Sequence, residues 1–522
     1  MNTTNQKERA QEYLRVAHLY RLGSLPTEQP HPRTRRLSEW ARTDLPKAVA
    51  ALKRVDLDAL RWLEVYSARI DCLARRIEAT LGRGRRVFLC GCGATGRLSL
   101  SLEYLWRGRH GTGHEVTSFM AGGDVALVHA LEGFEDHLAY GARHLEQLGF
   151  ADGDLLIACT EGGETPYVLG ATERAAEISS NHPYLLYCNG DEVLSREVQR
   201  FRRVYEDSRI EKICLHVGPM ALAGSTRMQA STVLQLAVGL ALLHPERPAR
   251  AWISDYRRRI AACDFTFLTS FVERESKIYE GGDRVIYRVR DYGITVFTDT
   301  TERAPTFSLV PFERADERRE SHSLCYVVLD DAGTAPEAWA RLLNRGPRAL
   351  DWPEVDPRTS SAYLHEFDFS AAALEPRRRR IPDRAHHEFV VRGAGDGIEL
   401  SLGDATHHVS ASDLPALFAH LTLKQLLNIH STLVMGRLGR YESNLMTWVL
   451  PTNGKLVDRA ARYVGHLLSL AGRRDRTYED IVHELFAQMS LAAPDESLVL
   501  RTYRALLDGE DGEAPAGFLA SG

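Results

Sequence analysis

Gly91-Cys-Gly-Ala-Thr-Gly-Arg97 follows directly on the apolar run Val87-Phe-Leu-Cys90. Together the two stretches predict a strand that ends in a glycine-rich turn and opens a helix. Leu98, Leu102 and Leu105 follow at helical spacing, so the predicted helix has a buried face. Glycine lets the backbone approach a ligand closely, and a helix N-terminus presents unpaired N–H groups suited to an anion. The stretch therefore predicts an anion site, for which a phosphate is the natural guest.

The same glycine spacing also matches the dinucleotide-binding fingerprint, which keeps a nicotinamide-dependent enzyme open as an alternative. That fingerprint expects an acidic residue about 20 positions further on, at the end of the next strand. The next predicted strand, Glu115 to Met120, runs into Ala121-Gly-Gly-Asp124, so Asp124 comes late and after a double glycine. The sequence therefore favours a phosphate over a dinucleotide. A turn that only packs a helix onto a sheet is the purely structural alternative.

Two more loops of similar character follow. Thr160-Glu-Gly-Gly-Glu-Thr165 ends the apolar run Leu155 to Cys159, and Pro166 suits the first turn of a helix. Gly224-Ser-Thr-Arg227 opens a third apolar helix. Any single Ser or Thr at such a place is more often a helix N-cap than a ligand contact. Their recurrence at three helix starts favours one phosphorylated polyol as the common guest.

A larger set of motifs between Gly91 and Met228 carries a resemblance to a known family. The motifs are Gly91 to Arg97, Ala121-Gly-Gly-Asp124, Leu131-Glu-Gly-Phe-Glu-Asp136, Thr165-Pro-Tyr-Val168 and Gly218-Pro-Met-Ala-Leu-Ala-Gly-Ser-Thr-Arg-Met228. In this order they resemble a sugar isomerase (SIS) domain. The subgroup resembled contains bacterial N-acetylmuramic acid 6-phosphate etherase and animal glucokinase regulatory protein. The resemblance implies an α/β fold, a parallel sheet flanked by helices in a flavodoxin-like three-layer sandwich.

Length and composition limit the remaining possibilities. A chain of 522 residues has room for two or three domains, and 44% hydrophobic with 26% charged residues is typical of a globular protein. The net charge of −5 gives no reason to expect nucleic acid as a partner. We expect no membrane span, because no apolar run approaches about 18 residues. The polar start of the chain lacks a signal-peptide core, so we expect a cytoplasmic protein.

We expect neither a metal nor a cofactor. The cysteines are scattered through apolar runs, and the pairs His386-His387 and His407-His408 lack a third ligand at usable spacing. The basic run Arg377 to Arg380 stands alone without interleaved aromatic residues. It predicts a solvated loop rather than a nucleic-acid patch.

Alternating strand and helix patterns divide the chain into four predicted parts. Residues 1–80 are N-terminal helices that pack on the first SIS domain, with a break expected near Asp56-Leu-Asp58. Residues 81–262 form the first SIS domain and residues 263–460 the second. Residues 461–522 form a C-terminal helical cap.

The second predicted domain has a degraded glycine loop but keeps another motif. Of the three glycines only Gly293 remains, so we do not expect a second phosphate pocket there. Asp299-Thr-Thr-Glu-Arg-Ala-Pro-Thr-Phe307 resembles the acidic stretch of the etherase, with Glu302 at the glutamate of its reaction centre. The first domain has Leu105 at the matching position, and Glu103 lies on a different face of the helix. It keeps the family's other functional glutamate as Glu135, and Lys455 matches the lysine of the etherase's end region.

These complementary losses imply one site inside an internal pseudo-dimer of SIS domains, although drift in a duplicated domain loses motifs as well. The resemblance implies Glu135 and Glu302 as the catalytic pair. The remaining predicted contacts to the sugar phosphate are Gly91, Gly93, Thr95, Gly96, Glu132, Thr160, Gly162, Gly163, Thr165, Ser225, Thr226 and Lys455.

The resemblance implies two functions for this chain. The first is a carbohydrate-derivative sensor or regulator of hexose or amino-sugar phosphate metabolism, with a sugar kinase as partner. The alternative is a carbon–oxygen lyase that releases D-lactate from N-acetylmuramic acid 6-phosphate, and a ketose–aldose phosphate isomerase is a third reading. Ala94, Glu164, Met220 and Gln229 depart from the etherase pattern around the phosphate, and Glu164 would repel a phosphate unless paired or turned away. Whether the chain is an enzyme stays open, and the sensor is favoured.

Overall fold

The computed structural model describes residues 3–20, 22–111, 113–411, 413–493 and 495–508. Within these residues the strands form two five-stranded sheets. The first sheet contains β1 Val87–Gly91, β2 Val116–Met120, β3 Leu155–Cys159, β4 Tyr184–Tyr187 and β5 Glu211–Cys214. The second contains β6 Arg284–Val289, β7 Cys325–Leu329, β8 His386–Ala394, β9 Gly397–Leu402 and β10 Ala405–Ser410.

Twelve α-helices, within the described residues, precede the second sheet. Four of them also precede the first sheet: α1 Thr3–Val16, α2 Leu37–Thr43, α3 Leu45–Leu63 and α4 Ser67–Gly82. The others are α5 Ala94–His110, α6 Leu138–Gln147, α7 Pro166–Ile178, α8 Asp191–Glu197, α9 Gln199–Glu206, α10 Gln229–Leu243, α11 Ala249–Ala262 and α12 Leu268–Glu280.

The first sheet is parallel throughout, with strand order β2-β1-β3-β4-β5. In the central strand, Val87 pairs with Val116 on one side and with Leu155 on the other. Every residue of β1, β2 and β3 is buried, because helices cover both faces and such strands are apolar throughout. The predicted α/β class, with a flavodoxin-like strand order in the first sheet, is therefore confirmed.

The second sheet differs from the predicted parallel arrangement in its last two strands. Its order is β10-β9-β8-β6-β7, and β6 pairs in parallel with both β7 and β8. By contrast, β8 with β9 and β9 with β10 are antiparallel. The turns are too short for a crossover: Ala394 pairs with Gly397, and Leu402 with Ala405. Such tight connections can only join antiparallel neighbours.

Eight helices, within the described residues, follow β6. They are α13 Gly293–Phe307, α14 Ala335–Leu343, α15 Ser361–His365, α16 Leu374–Arg380, α17 Ala416–Arg437, α18 Gly454–Leu470, α19 Tyr478–Met489 and α20 Leu498–Asp508. In the second sheet, α13 follows β6 as α5 follows β1 in the first. The expected C-terminal helices are present, and residues 509–522 of the predicted cap lie outside the described residues.

Two local predictions from charge were wrong. Asp56 lies inside α3 and is 4% exposed, so it does not break the helix; the actual breaks fall at Asp44, which caps α3, and between α3 and α4. The basic run Arg377 to Arg380 belongs to α16 rather than to a solvated loop. Arg377 is buried there because it donates to Glu313 at 2.7 Å.

The two halves share one continuous core of buried apolar side chains. Charged pairs cross between them: Arg227 donates to Asp299 at 3.0 Å, and both side chains are buried. Asn344, at the end of α14, donates to the backbone oxygen of Tyr104 on α5. Among the described helices, none has both the length and the apolar character needed to cross a membrane.

Candidate functional site

Two adjoining cavities lie where the first sheet's loops meet α13 and α18. The outer cavity has a volume of about 410 Å³ and the inner cavity about 160 Å³. The walls of both include Cys92, Gly93, Glu135, Gly224, Glu302, Thr306, Lys455 and Arg459. The shared residues come from both halves of the chain, so the cavities form one composite site.

The glycine-rich turn after β1 has the form that the sequence predicted. Gly93 caps α5 with a φ of 54°, a conformation that favours glycine, and it lines both cavities. A Cβ atom on Gly91 would lie 2.3 Å from the backbone of Thr95, and one on Gly96 would lie 2.6 Å from Met120 on β2. Gly91 and Gly96 therefore allow the tight turn and the close packing of α5, while Gly93 faces the ligand space.

Thr95 serves this turn rather than the cavity surface. Its hydroxyl accepts from the Cys92 N–H at 2.9 Å and donates to the Cys92 oxygen at 2.8 Å. The side chain is buried, and it is absent from the linings of both cavities. The Thr95 hydroxyl therefore fixes the loop that carries Gly93.

In the second loop, Thr160 to Thr165, some residues also line the cavity while others only shape the loop. Gly162 and Thr165 line the inner cavity, whereas Thr160 and Gly163 do not. The hydroxyls of Thr160 and Thr165 lie 3.1 Å apart, and α7 begins at Pro166 as expected. Gly163 has a φ of 80°, which turns the chain toward α7. Thr160 and Gly163 thus shape the loop that presents Gly162 and Thr165.

The third loop brings hydroxyl groups to the inner cavity. Ser225 and Thr226 both line it. The Ser225 side chain is 4% exposed, and its Oγ has no hydrogen-bond partner among the described residues. Arg227 also lines the inner cavity, but its guanidinium donates to Asp299 at 3.0 Å and to Ser431 at 3.0 Å. The Ser225 hydroxyl is therefore a donor available to a ligand, and Arg227 anchors its loop to the second half.

The two predicted glutamates face the same space from opposite halves. Glu135 follows the short 3₁₀ turn Glu132–Phe134, and Glu302 lies on α13; both line both cavities. Lys455, at the start of α18, pairs with Glu135 at 2.8 Å. The backbone of Glu132 opens the 3₁₀ turn, and its side chain lies outside the described residues.

Glu164 is paired with cationic side chains, as a phosphate bound beside it would require. It forms ion pairs with Arg200 and, at 3.6 Å, with Lys455. Burial by itself raises the pKa of Glu164, but Arg200 and Lys455 outweigh burial and lower it. Lys455 thus holds two carboxylates at once, and their charges raise its own pKa despite burial.

Several residues of the site were missed from the sequence. Arg459, one turn after Lys455, lines both cavities and donates to Glu28 at 2.7 Å. Burial raises the pKa of Glu28, but Arg459 and Arg462 outweigh it and hold it at about 2. The Glu28 segment therefore closes the floor of the inner cavity. No local pattern indicates a pair separated by 431 positions.

Glu161 was also missed, although it stands inside a quoted motif. It lines the inner cavity between Thr160 and Gly162. Thr306, one turn after Glu302 on α13, lines both cavities and could have been found from that helical spacing.

The outer cavity is mostly apolar. Its walls include Met120, Val128, Leu131, Leu309 and Val449, while His129 and Arg358 add polar groups. The inner cavity has hydroxyls and helix N-termini instead. A ligand with an anionic end and a larger, partly apolar body fits this division. Within the described residues, no group of three or more His, Cys, Asp or Glu side chains is arranged to hold a metal ion.

Comparison with known proteins agrees with the motifs. The profile of the glucokinase regulatory protein N-terminal SIS domain matches residues 70–176. N-acetylmuramic acid 6-phosphate etherase 1 of Bacillus licheniformis is 31% identical over 221 residues, which cover 42% of this chain and 67% of the etherase. The chain belongs to the SIS-domain family of these two proteins. The etherase of Yersinia pestis (strain Pestoides F) is 30% identical over 221 residues, which cover 42% of this chain and 70% of that etherase.

Solved structures that align with most of this chain are less similar to it in sequence than the etherases are. Tagatose-6-phosphate ketose/aldose isomerase from Escherichia coli is 12% identical with a TM-score of 0.41, covering 77% of this chain and 95% of the isomerase. Glucosamine-6-phosphate deaminase from Thermotoga maritima is 10% identical with a TM-score of 0.34, covering 74% of this chain and 96% of the deaminase.

Proposed function

We propose that this SIS-family protein binds one phosphorylated sugar or amino sugar and acts as a sensor or regulator of its metabolism. The observation that carries the proposal is the inner cavity, where the unpartnered Ser225 hydroxyl faces the space beside Gly93 at the start of α5. A helix N-terminus and a free hydroxyl donor suit a phosphate. The sugar would extend into the outer cavity between Glu135 and Glu302.

The position of the site supports sensing. We place it where the proposed domains 81–262 and 263–460 meet, as in a pseudo-dimer. A ligand that contacts both walls binds one arrangement of the two halves more tightly than others, and so shifts their equilibrium. A partner protein can read that shift, and the resemblance to glucokinase regulatory protein implies a sugar kinase in this role. We propose a cytoplasmic location for this pair.

A lyase acting on N-acetylmuramic acid 6-phosphate is the second candidate. One observation favours it: Glu135 and Glu302 line the same cavity from opposite halves. Two carboxylates across a sugar ring can abstract a proton and assist a leaving group. Against it, Ala94 and Glu164, both in the wall of the inner cavity, depart from the etherase pattern.

We expect one binding site per chain. Isothermal titration calorimetry with glucose 6-phosphate, fructose 6-phosphate, N-acetylglucosamine 6-phosphate and N-acetylmuramic acid 6-phosphate tests this, with the unphosphorylated sugars as controls. The reason is that the glycine loop at Gly93 lines the cavities, whereas the turn at Gly293 lines neither. At least one phosphorylated sugar should bind with a stoichiometry near one. Two equivalent sites would contradict the composite site, and no binding by any of the four would contradict the proposed function.

Ser225→Ala is expected to weaken phosphate binding by about 1.5 kcal/mol, roughly tenfold in Kd, because it removes a hydrogen bond to a charged group. The measurement is calorimetry with the sugar phosphate that binds wild type. Ser99→Ala is the matched control: Ser99 is equally buried, but its hydroxyl donates to the Thr95 oxygen within α5 and it lines neither cavity. Equal affinities of wild type and Ser225→Ala would place the phosphate elsewhere.

A further inference from the structure

Glu161 is a buried carboxyl group in the wall of the inner cavity. It follows β3 by two residues and is 7% exposed. Among the described residues, the Glu161 Oε1 atom has no hydrogen-bond partner, and no Lys, Arg or His side chain lies within ion-pair distance of the Glu161 carboxylate. A buried carboxylate without a counter-charge is costly, so the group needs either a proton or a ligand.

The neighbours of Glu161 favour the proton. Burial raises the pKa of Glu161 to about 8; its own backbone N–H opposes this, and the nearby charge of Glu302 on α13 adds to the rise. A hydrogen bond with Thr226 and the charge of Lys424 on α17 lower the pKa by less. Lys424 forms no ion pair with Glu161; its Nζ–H groups donate to Thr232 at 2.9 Å and to Asn428 at 3.0 Å.

The cationic side chains in and beside the inner cavity already have carboxylate partners. Arg227 binds Asp299, Lys455 binds Glu135 and Glu164, Arg200 binds Glu164, and Arg459 binds Glu28. The neighbouring thiols of Cys159 and Cys188 are buried, and burial raises the pKa of both, so they are neutral. No group in the described residues is therefore placed to neutralise an ionised Glu161.

Other groups of the same cavity suit an anion. The loops that line it lead into the N-termini of α5, α7 and α10, where unpaired N–H groups and the helix dipole favour negative charge. Ser225 adds its unpartnered hydroxyl. An ionised carboxylate beside a phosphate would oppose all of these groups, whereas a carboxylic acid carries an O–H donor of its own.

We propose that Glu161 binds the ligand as a neutral carboxylic acid and donates a hydrogen bond from its O–H to a phosphate oxygen. This inference rests on the proposed function, because it names the contact that the phosphate makes at the same site. It makes Glu161 a binding residue that discriminates phosphorylated from unphosphorylated sugars only while the carboxyl group keeps its proton.

The consequence is a loss of affinity at alkaline pH. When Glu161 ionises, the donor is lost and a negative charge faces the phosphate. With a pKa of about 8, affinity should fall about tenfold between about pH 7 and about pH 9, since one proton is released. The second ionisation of the ligand phosphate, near about pH 6, lies below this window.

Calorimetry at several pH values tests the proposal, with N-acetylglucosamine 6-phosphate and N-acetylmuramic acid 6-phosphate as probes. Wild type is compared with Glu161→Gln, whose amide donates a hydrogen bond at every pH. We expect the wild-type affinity to fall about tenfold over the window while the variant changes by less than about threefold. Burial lowers the pKa of Lys424 to about 8, in the same window, but Lys424 is present in both proteins, so a fall in affinity that it causes appears in the variant as well.

The outcomes separate this inference from the proposed function. If neither probe binds wild type or variant at any pH, the proposed function fails for amino-sugar phosphates. If the probes bind and the wild-type affinity stays constant between about pH 7 and about pH 9, or falls in parallel with the variant, Glu161 is not a proton donor to the phosphate. If Glu161→Gln does not fold, Glu161→Ala takes its place: it lacks the O–H donor at every pH, so its affinity should lie below that of wild type at about pH 7 and should not fall tenfold by about pH 9. A fall of equal size in wild type and Glu161→Ala would overturn the proposal.

Discussion

Glu103→Ala is expected to lower the free energy of unfolding by about 3–5 kcal/mol, because it leaves buried guanidinium groups without their shared counter-charge. Glu103 lies on α5, and its side chain is 1% exposed. Arg345 and Arg348, from the segment after α14, donate to it at 3.2 and 2.8 Å. These bonds fasten the second half of the chain to the helix that opens the ligand site.

Contacts within the first half complete the cluster. Arg107 donates to Glu103 at 2.9 Å, and the Ser118 hydroxyl donates at 2.5 Å. Burial raises the pKa of Glu103, but Arg345 and Arg348 outweigh burial and lower it from 4.5 to about 2. A carboxyl group with a depressed pKa stabilises the fold above its unfolded pKa and loses that contribution as pH falls. The difference between wild type and variant should therefore shrink between pH 4.5 and about 2.

Urea denaturation followed by circular dichroism measures the effect. The matched control is Glu146→Ala, because Glu146 pairs with Arg174 on the surface and is 49% exposed. An exposed pair contributes at most about 1 kcal/mol, so this variant should unfold close to wild type. Glu103→Gln keeps the shape of the side chain and serves if Glu103→Ala does not fold. A loss in both Glu103 variants no larger than in the control would show that other contacts join the halves.

Local sequence patterns were sufficient to predict the first half of the fold. The glycine turn before α5, Pro166 at the start of α7 and the loop before α10 each mark a helix start by the chemistry of a few adjacent residues. The apolar runs of β1 and β3 mark buried parallel strands in the same way. Such signals lie within one element and need no knowledge of distant neighbours.

The second sheet was harder to predict because its last strands carry weaker signals. Strand β8 begins with His386 and His387 and alternates in burial, since only one of its faces packs on the core. The tight turns at Gly395 and Gly403 set the antiparallel pairing. The hairpins were not predicted, because Gly395 and Gly403 precede strands, whereas the glycine turns that were predicted each precede a helix.

For the candidate site, the sequence identified the loops but not the roles of their side chains. The three loops and both glutamates lie around the two cavities. Whether a hydroxyl in a loop faces the ligand or the loop itself depends on its χ angles and neighbours, as the contrast between Ser225 and Thr95 shows. Pairs such as Glu28 with Arg459 depend on the tertiary fold, and no spacing along the chain encodes them.

Glu302→Ala is expected to weaken binding of a sugar phosphate by about 2–3 kcal/mol, because it removes a charged acceptor for sugar hydroxyls. Glu302 lines both cavities and forms no hydrogen bond or ion pair with another described side chain, so both carboxylate oxygens can accept from a ligand. Glu302→Gln should lose less affinity, since an amide keeps one acceptor oxygen. Calorimetry with wild type and both variants measures the two differences.

The same variants separate a sensor from a lyase. An amide cannot take up or deliver the proton that ether cleavage requires, so a lyase would lose turnover in Glu302→Gln while keeping most of its affinity. We expect wild type to release no D-lactate from N-acetylmuramic acid 6-phosphate. The reason is that Ala94 and Glu164, which line the inner cavity, depart from the etherase pattern around the phosphate. An enzymatic lactate assay decides: lactate released by wild type and lost in Glu302→Gln would contradict the sensor and place the chain among the lyases.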